Sequence, residues 1–261
     1  PARRRSLARA GADVASGVAA VGDRCEIVIC SLPSSKALRD VSRQLAAAGP
    51  RVRIVIETST LPIGVKDAAR TRLSARGVTL LDCPLSGTGA QARVKDVVVY
   101  ASGPRAACRR AAPVMDGFAR AHHYLGPFGA GSKTKFVANL LVAIHNVAAA
   151  EALVLAMKAG LDPAVTLNAV AAGVGNSRVL QVRGPMMIRG RYDRAMATLA
   201  VFEKDLRVIR DFSRAVGAST PLFRAARPVY RAALAEGRQA QDTAAVCAII
   251  ERQSNLRRPQ T

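Results

Sequence analysis

Residues 129–150 read GAGSKTKFVANLLVAIHNVAAA, a glycine-rich turn that leads into a long apolar segment. No charged residue occurs within residues 136–150, and apolar residues occupy nearly every face of the predicted helix. Helices with that pattern are buried all round. Asn139, His145 and Asn146 interrupt the run, which makes it too short and too polar for a membrane span of about 20 apolar residues. We therefore expect a buried helix and no membrane partner.

Lys135 and Asn139 lie four residues apart near the start of this helix, so an amine and a carboxamide project from one face. Most helical pairs with this spacing are solvated surface, but the apolar surroundings favour a functional pair here. If Ser132 is the N-cap, Lys135 stands in the first turn, where the helix dipole disfavours a cation. We expect a lowered pKa for Lys135, and such a lysine is a usable general acid or base.

Short β-branched runs upstream of this helix alternate with amphipathic stretches, which is typical of parallel strands joined by crossover helices. The strands are predicted at residues 25–31, 51–58, 78–83, 95–101 and 122–125, and the helices between them at 34–48, 62–76 and 104–118. Polar or turn residues follow three of the strands, at 31–33, 58–60 and 82–89. Because ligands bind beyond the carboxyl ends of such strands, we expect these segments to meet at one crevice.

Beyond residue 126 the strand pattern stops and only helices are predicted. They cover residues 132–159, 163–171, 178–189, 198–216, 221–235 and 242–252, with glycines and Pro221 at plausible ends. The sequence therefore predicts an α/β domain at residues 1–125 and an all-α domain at residues 126–261. The long helix at about residues 132–159 joins the two domains.

Composition sets limits on the class of protein. The chain has 261 residues, half of them apolar, which gives enough material for a real core and excludes disorder. Its five cysteines are scattered and show no metal-ligand spacing, so we expect reduced thiols, no disulfide framework and no metal. No apolar segment follows a basic region near residue 1 and no uncharged span reaches about 18 residues, so we expect a cytoplasmic protein. The three histidines lack a carboxylate cluster and suggest no metal site either.

The formal charge of +21 raises the question of nucleic acid. Arginine outnumbers lysine 32 to 7, but it is spread along the whole chain and only four Tyr and six Phe are present to stack on bases. We favour attraction of small anions over nucleic-acid binding. A competing hypothesis remains: a non-catalytic scaffold that uses its basic surface to bind nucleic acid or an acidic partner.

Several motifs in this order resemble those of the β-hydroxyacid dehydrogenase family, which includes 3-hydroxyisobutyrate and 6-phosphogluconate dehydrogenases. The family's substrate loop, Asp-x-Pro-Val-Ser-Gly-Gly, is similar to residues 82–88, with Leu85 for valine and Thr88 for the last glycine. Its Gly-x-Gly-x-x-x-Lys-x-x-Asn-Asn segment is similar to residues 129–139, with Ala138 for the first asparagine. A late Lys-Asp-Leu motif corresponds to residues 204–206. The similarity covers nearly the whole chain.

The resemblance implies an incomplete Rossmann-type sheet domain and oxidation of a small 3-hydroxy acid to its semialdehyde with NAD or NADP. It implies roles for ten residues: Lys135 as general acid/base, Asn139 on the substrate hydroxyl, Ser86, Gly87 and Thr88 on the substrate carboxylate, Lys204 near both substrate and nicotinamide, and Leu32, Pro33, Thr60 and Asp205 along the cofactor. It also implies a homodimer or homotetramer. The related imine reductases replace the lysine, so Lys135 argues against that branch.

The dinucleotide fingerprint of this family is not found where the resemblance would place it. Residues 87–92 fit Gly-x-Gly-x-x-Ala, but another strand is predicted from residue 95, too soon for a crossover, and we reject them as a phosphate loop. By resemblance the first strand, phosphate-binding turn, first helix and second strand lie upstream of Pro1. We expect the two absent strands to belong between the strands at 25–31 and 51–58, and the chain as given to be an inactive truncated form that does not bind the dinucleotide normally.

Overall fold

The computed structural model describes residues 2–258, with side chains from Arg4 onward. Its contacts divide the chain into two compact units. The first unit comprises Pro1–Gly87 and Gln91–Lys135, and the second comprises Thr88–Ala90 and Phe136–Thr261. The first unit contains all the strands and the second is helical, so the α/β-then-α order expected from the sequence is correct.

The helices of the described chain are α1 Ala2–Arg9, α2 Val18–Arg24, α3 Ser35–Ala47, α4 Ile63–Ser74, α5 Gly89–Arg93, α6 Arg105–Phe118, α7 Ala130–Lys158, α8 Pro163–Ala171, α9 Arg178–Arg189, α10 Leu199–Ala215, α11 Pro221–Ala235 and α12 Val246–Gln253. A 3-10 turn, Thr243–Ala245, precedes α12. The strands are β1 Ile27–Cys30, β2 Ile54–Glu57, β3 Thr79–Asp82, β4 Leu85–Ser86, β5 Val98–Ala101 and β6 Ala121–Tyr124.

Strands β1, β2 and β3 form a parallel sheet in that order. Their last residues are in register, with Cys30 beside Glu57 and Glu57 beside Asp82. The segments that follow the three strands therefore leave the sheet at one edge, as the sequence predicts. The expectation that two absent strands separate the first pair is wrong, because Ile27 of β1 pairs directly with Ile54 of β2.

A second sheet has the order β4-β5-β6, in which β4 is antiparallel to β5 and β5 is parallel to β6. The expectation of parallel strands throughout is therefore wrong at β4 and β5. The connection between them contains only the five-residue helix α5, whereas a parallel crossover needs a dozen or more residues. The antiparallel pairing also agrees with the rejection of residues 87–92 as a phosphate loop.

The first unit has a core on each side of its first sheet. One side packs α3 and α4 against the strands through a cluster that includes Leu38, Leu45, Leu73 and Leu80. The other side packs α6 through a cluster that includes Met115. Alternate residues along the strands serve the two clusters, since Val55 belongs to the first whereas Ile54 and Ile56 belong to the second. Burial on both sides is typical of parallel strands.

The second unit is built around α7. Asn146, fully buried on α7, donates to the Tyr230 hydroxyl at 3.1 Å and to the Thr243 carbonyl at 2.7 Å. The Tyr230 hydroxyl in turn donates to the carbonyl of Ala143 at 3.0 Å. These bonds satisfy polar groups that would otherwise be costly to bury, and they tie α7 to α11 and to the turn before α12.

The exposure of α7 differs from the sequence expectation. Val137, Leu141 and Leu155 are 57%, 46% and 71% exposed, so the helix is not buried all round. By length and composition α7 is the one helix of residues 2–258 that would suffice to cross a membrane, and 44% of its most apolar window is buried. This criterion is weak, because a core helix of a water-soluble domain satisfies it too. The hydrogen bonds of Asn146 show that α7 packs against α11 and the turn before α12.

Candidate active site

The start of α7 is bound to the carboxyl end of β3. The Asp82 carboxylate accepts two hydrogen bonds from Ser132, one from the backbone N–H at 2.8 Å and one from the hydroxyl at 2.7 Å. The Ser102 hydroxyl accepts the backbone N–H of Gly131 at 2.9 Å and donates to the carbonyl of Asp82 at 3.0 Å. A carboxylate at a helix N-terminus is favourable because it meets unpaired N–H groups and the positive end of the dipole.

This arrangement corrects the expectation that Ser132 is the N-cap. The helix begins at Ala130, and Ser132 lies inside its first turn. Asp82, fifty residues away in sequence, takes over the capping function that we assigned to a local side chain. Lys135 is consequently the sixth residue of α7 instead of a first-turn residue, although it remains close to the positive end of the helix.

Gly131 permits this close approach. A Cβ atom at residue 131 would lie 2.3 Å from the Tyr100 carbonyl oxygen and 2.6 Å from that of Asp82. Both atoms belong to the backbone of the sheet edge and cannot move aside independently. The second glycine of the Gly-Ala-Gly turn is therefore required by packing of the helix against the strands.

Lys135 and Asn139 are both buried on α7, with 9% and 6% of their surface exposed. They remain one helical turn apart, as their spacing predicts. Burial of an amine and a carboxamide on an otherwise apolar helix distinguishes this pair from ordinary solvated residues. The catalytic role of the two residues stays a prediction.

Asn139 has a partner that the sequence interpretation did not assign to it. Its Nδ2 donates to Asp205 Oδ2 of α10 at 2.9 Å, within the helical unit. Asp205 Oδ1 also lies 3.3 Å from Lys204 Nζ. The resemblance implies that Asp205 lies along the cofactor, which stays a prediction; the contact observed here orients the Asn139 amide. The motif marked the residue, but the sequence held no signal for the contact.

The predicted substrate loop begins in the first unit with Ser86 and Gly87. Ser86 ends β4, where it pairs with Val98 of β5. Gly87 has φ +136°, and a Cβ there would lie 2.7 Å from a methyl group of Val97. The backbone conformation of the loop thus needs glycine at this position. Thr88 belongs to the second unit, together with Asn139, Lys204 and Asp205. The first unit contains Ser86, Gly87 and Lys135.

The predicted cofactor positions Leu32, Pro33 and Thr60 follow β1 and β2. Hydroxyl groups nearby are engaged within the protein: Ser59 Oγ accepts the N–H of Leu32 at 2.7 Å, and Thr58 Oγ1 donates to the Cys30 carbonyl at 2.8 Å. Leu32 is partly buried and Pro33 is exposed, and their place along the cofactor stays a prediction. Within residues 2–258 no strand leads directly into Gly-x-Gly-x-x-Gly.

The buried thiols are unsuited to nucleophilic chemistry. All five cysteines are free, and four of them are buried. Burial, and to a lesser degree the negative charge of Glu57, raises the pKa of Cys30 to about 12. Burial, and to a lesser degree the negative charge of Glu251, raises the pKa of Cys247 to about 12. These thiols stay protonated at neutral pH. No group of three or more potential metal-ligating residues occurs in the described part of the chain.

Comparison with known proteins places these features in a family. Residues 1–126 match the model of the NAD binding domain of 6-phosphogluconate dehydrogenase, and residues 129–250 match the model of the NAD-binding domain of NADP-dependent 3-hydroxyisobutyrate dehydrogenase. The L-threonate dehydrogenase of Cupriavidus necator is 31% identical over 248 residues, 94% of this chain and 83% of that protein. The chain belongs to the β-hydroxyacid dehydrogenase family. It is an NAD(P)-dependent dehydrogenase of hydroxy acids.

Two further relatives agree with this membership in the β-hydroxyacid dehydrogenase family. The 3-hydroxyisobutyrate dehydrogenase of Pseudomonas aeruginosa is 30% identical over 235 residues, 86% of this chain and 78% of that protein. The structure of the Mycobacterium tuberculosis 3-hydroxyisobutyrate dehydrogenase with L-serine is 26% identical, with a TM-score of 0.86 over 96% of this chain and 88% of that chain. The two-domain fold of the family is therefore that of this protein.

Proposed function

We propose that this dehydrogenase oxidises a small 3-hydroxy acid to its semialdehyde, with Lys135 as the general acid/base. The observation that carries the proposal is the buried Lys135 on α7, a helix whose first turn is bound to the sheet by Asp82. A lysine that is shielded from water on this helix can exchange a proton directly with a bound substrate. A neutral amine can accept the hydroxyl proton of the substrate, and the resulting ammonium can return it to an aldehyde oxygen in the reverse direction.

Asn139 is proposed to hold the hydroxyl group that reacts. Its Nδ2 carries two N–H groups, and one of them donates to Asp205, so the other can donate to the substrate hydroxyl oxygen while the hydroxyl proton goes to Lys135. This contact holds the amide in one orientation. NAD or NADP, when bound, accepts the hydride, and Leu32, Pro33, Thr60 and Lys204 are proposed to line it.

The substrate class is proposed from the loop chemistry and from the relatives. The relatives are named for L-threonate and 3-hydroxyisobutyrate, and another, of Escherichia coli, is named 2-hydroxy-3-oxopropionate reductase. The compounds in these names are short acids with an oxygen function near a carboxylate. Ser86, Gly87 and Thr88 are proposed to hold that carboxylate with hydroxyl and backbone N–H donors, and Lys204 to complete the charge balance.

Substitution of Lys135 tests the mechanism. We expect Lys135→Met to lower kcat for L-threonate or 3-hydroxyisobutyrate with NAD(P)⁺ by a factor on the order of 10² to 10⁴, because general acid/base catalysis contributes about that much. The release of reduced nicotinamide is followed by absorbance. Lys133→Met, two residues earlier on the exposed side of α7, is the matched control and should retain turnover. Full turnover by Lys135→Met would contradict the proposal.

The apolar stripe on α7 supports a proposal about assembly. Val137, Leu141 and Leu155 are exposed along this helix, and Val165 of α8 is 67% exposed. Apolar surface of this extent is typical of interfaces between subunits. We propose that the helical unit pairs with a second copy of the chain to give a homodimer or a homotetramer. Light scattering of the purified protein tests this, and a monomer at all accessible concentrations would argue against it.

The alternative of a basic scaffold has less support. Arginines on the surface often face carboxylates, as in the pairs of Arg24 with Asp13 and Arg120 with Asp96. We propose small anions as the partners of the remaining charge, without nucleic acid, and a reducing, cytoplasmic setting for the four buried thiols. Steeply salt-dependent binding to DNA in the absence of dehydrogenase activity would favour the scaffold instead.

A further inference from the structure

Lys66 of α4 forms a fully buried ion cluster at the carboxyl ends of β2 and β3. Its Nζ lies 2.6 Å from Glu57 Oε2 and 2.7 Å from Asp82 Oδ1. All three residues are 0% exposed. Burial alone lowers the pKa of Lys66, but Glu57 and then Asp82 outweigh that effect, so the pKa lies above its ordinary value and the ammonium stays charged.

Each carboxylate of the cluster also holds backbone. Glu57 Oε1 accepts the N–H of Ser59 at 3.0 Å, in the segment after β2. Asp82 holds Ser132 in the first turn of α7 through two hydrogen bonds and also accepts from the Ser102 hydroxyl at 3.3 Å. Lys66 is therefore connected through one carboxylate to a turn that lies three residues before Lys135.

We propose that Lys66 is a positioning residue for the reaction: its ammonium holds Asp82 in the orientation that binds the first turn of α7, and it thereby fixes the place of Lys135. This inference rests on the proposed role of Lys135 and extends it to a residue that does not touch the substrate. Lys66 belongs to α4, and no motif of the family resemblance includes it.

The physical reason is that two buried carboxylates share one cation. Without Lys66, Glu57 and Asp82 would be left as two uncompensated negative charges in a water-excluded place, and one of them would take up a proton. A protonated Asp82 offers fewer acceptor sites and becomes a donor, so its two bonds with Ser132 would be weakened. The first turn of α7 would then lose its attachment, and Lys135 would be displaced relative to the reacting hydroxyl.

The experiment compares Lys66→Met with Arg183→Met in the full chain. Arg183 is the matched control, since it is 8% exposed and its Nε lies 3.0 Å from the fully buried Asp242 in the helical unit. Each substitution removes one buried cation from a carboxylate partner, but only Lys66 is linked to the start of α7. If Lys66→Met does not fold, the Glu57→Gln/Lys66→Met double variant replaces it, because it leaves one uncompensated carboxylate instead of two.

Three readouts are measured at a temperature where both variants are folded. In Lys66→Met we expect amide hydrogen exchange at residues 132–136 to be at least about tenfold faster. We expect a changed rate of modification of Lys135 by an acylating reagent. We also expect kcat to fall on the order of 10- to 100-fold with KM changed little. Arg183→Met should lower Tm without any of these changes.

Two outcomes separate this inference from the proposed function. Unchanged exchange at residues 132–136 together with unchanged turnover in Lys66→Met would overturn the positioning role, even if Lys135→Met is inactive. Full turnover by Lys135→Met would overturn the proposed function, whereas the exchange and acylation results do not depend on turnover. Faster exchange that is confined to Lys66→Met, with altered acylation of Lys135, supports the inference.

Discussion

At the scale of single residues, the contact between Asn139 and Asp205 fixes the orientation of the Asn139 amide. The Asp205 carboxylate can pair only with the donor end of that amide, and it uses one of the two N–H groups there. The second N–H can donate to the oxygen of an alcohol or of an aldehyde. In the proposed mechanism this leaves the alcohol proton for Lys135, which returns it in the reverse reaction.

Thr88 is the residue at which substrate size is expected to be controlled. Where the family pattern has glycine, Thr88 adds a branched side chain beside the proposed carboxylate site. We expect Thr88→Gly to raise kcat/KM for the larger L-threonate relative to 3-hydroxyisobutyrate by roughly tenfold, since small changes in pocket volume have effects of that size. Thr88→Ser, which keeps the hydroxyl, is the control. An unchanged ratio in Thr88→Gly would place Thr88 outside the substrate site.

The sequence singled out individual residues only where a motif or a spacing marked them. Lys135 and Asn139 were chosen from their spacing and from the apolar helix around them; both are buried, and their catalytic roles stay predictions. The contacts of Asp82 and Lys66 could not be predicted, because they join residues 16 and 50 positions apart through tertiary packing. Spacing along a chain contains no information about such pairs.

At the scale of elements, the joint between α7 and the sheet depends on Gly131. We expect Gly131→Ala to destabilise the fold by about 3 kcal/mol or more, because the added methyl would meet two backbone carbonyl oxygens. Chemical denaturation of the purified variants measures the effect. Gly64→Ala in α4, where a Cβ meets nothing within 4 Å, should change stability by no more than about 1 kcal/mol. Equal stability of the two variants would refute the role given to Gly131.

Most elements were predicted at nearly their observed bounds. Helices α8, α9 and α11 begin and end at the predicted residues, because Pro163, Gly190 and Pro221 mark ends that local chemistry imposes. Helix α2 was missed because it is short and contains Gly22, whose lack of a side chain is needed against Ala48. Strand β4 was missed as a separate strand, since two residues carry no periodic pattern.

At the scale of the whole molecule, the buried thiols predict that the folded protein loses stability in alkaline solution. The pKa of Cys30 and of Cys247 is raised by burial from 9.0 to about 12. Between these values the unfolded chain releases the thiol protons and the folded protein keeps them, so stability falls as pH rises. Each thiol should contribute a loss of about 1.4 kcal/mol per pH unit. Lys66, whose pKa is also raised, adds to the loss only above its ordinary 10.5.

Chemical denaturation at a series of pH values from about 8 to about 11 checks this prediction. The free energy of unfolding should begin to fall near about pH 9. Cys247→Ala should reduce the slope of the free energy of unfolding against pH by the contribution of one thiol. The small cavity that it leaves should lower stability at every pH. Cys25→Ala, at an exposed position, should leave the slope as it is. An identical slope in wild type and Cys247→Ala would show that the thiol is not protonated preferentially in the folded state.

The double attachment of Asp82 has a consequence for the order in which the chain acquires structure. Asp82 needs Lys66 from one side and Ser132 from the other, and the ribosome delivers Ser132 last. Until β3 and α4 have assembled, an emerging α7 finds no carboxylate to receive its first turn. We therefore expect the segment that bears Lys135 to be the last part of its unit to become ordered during translation.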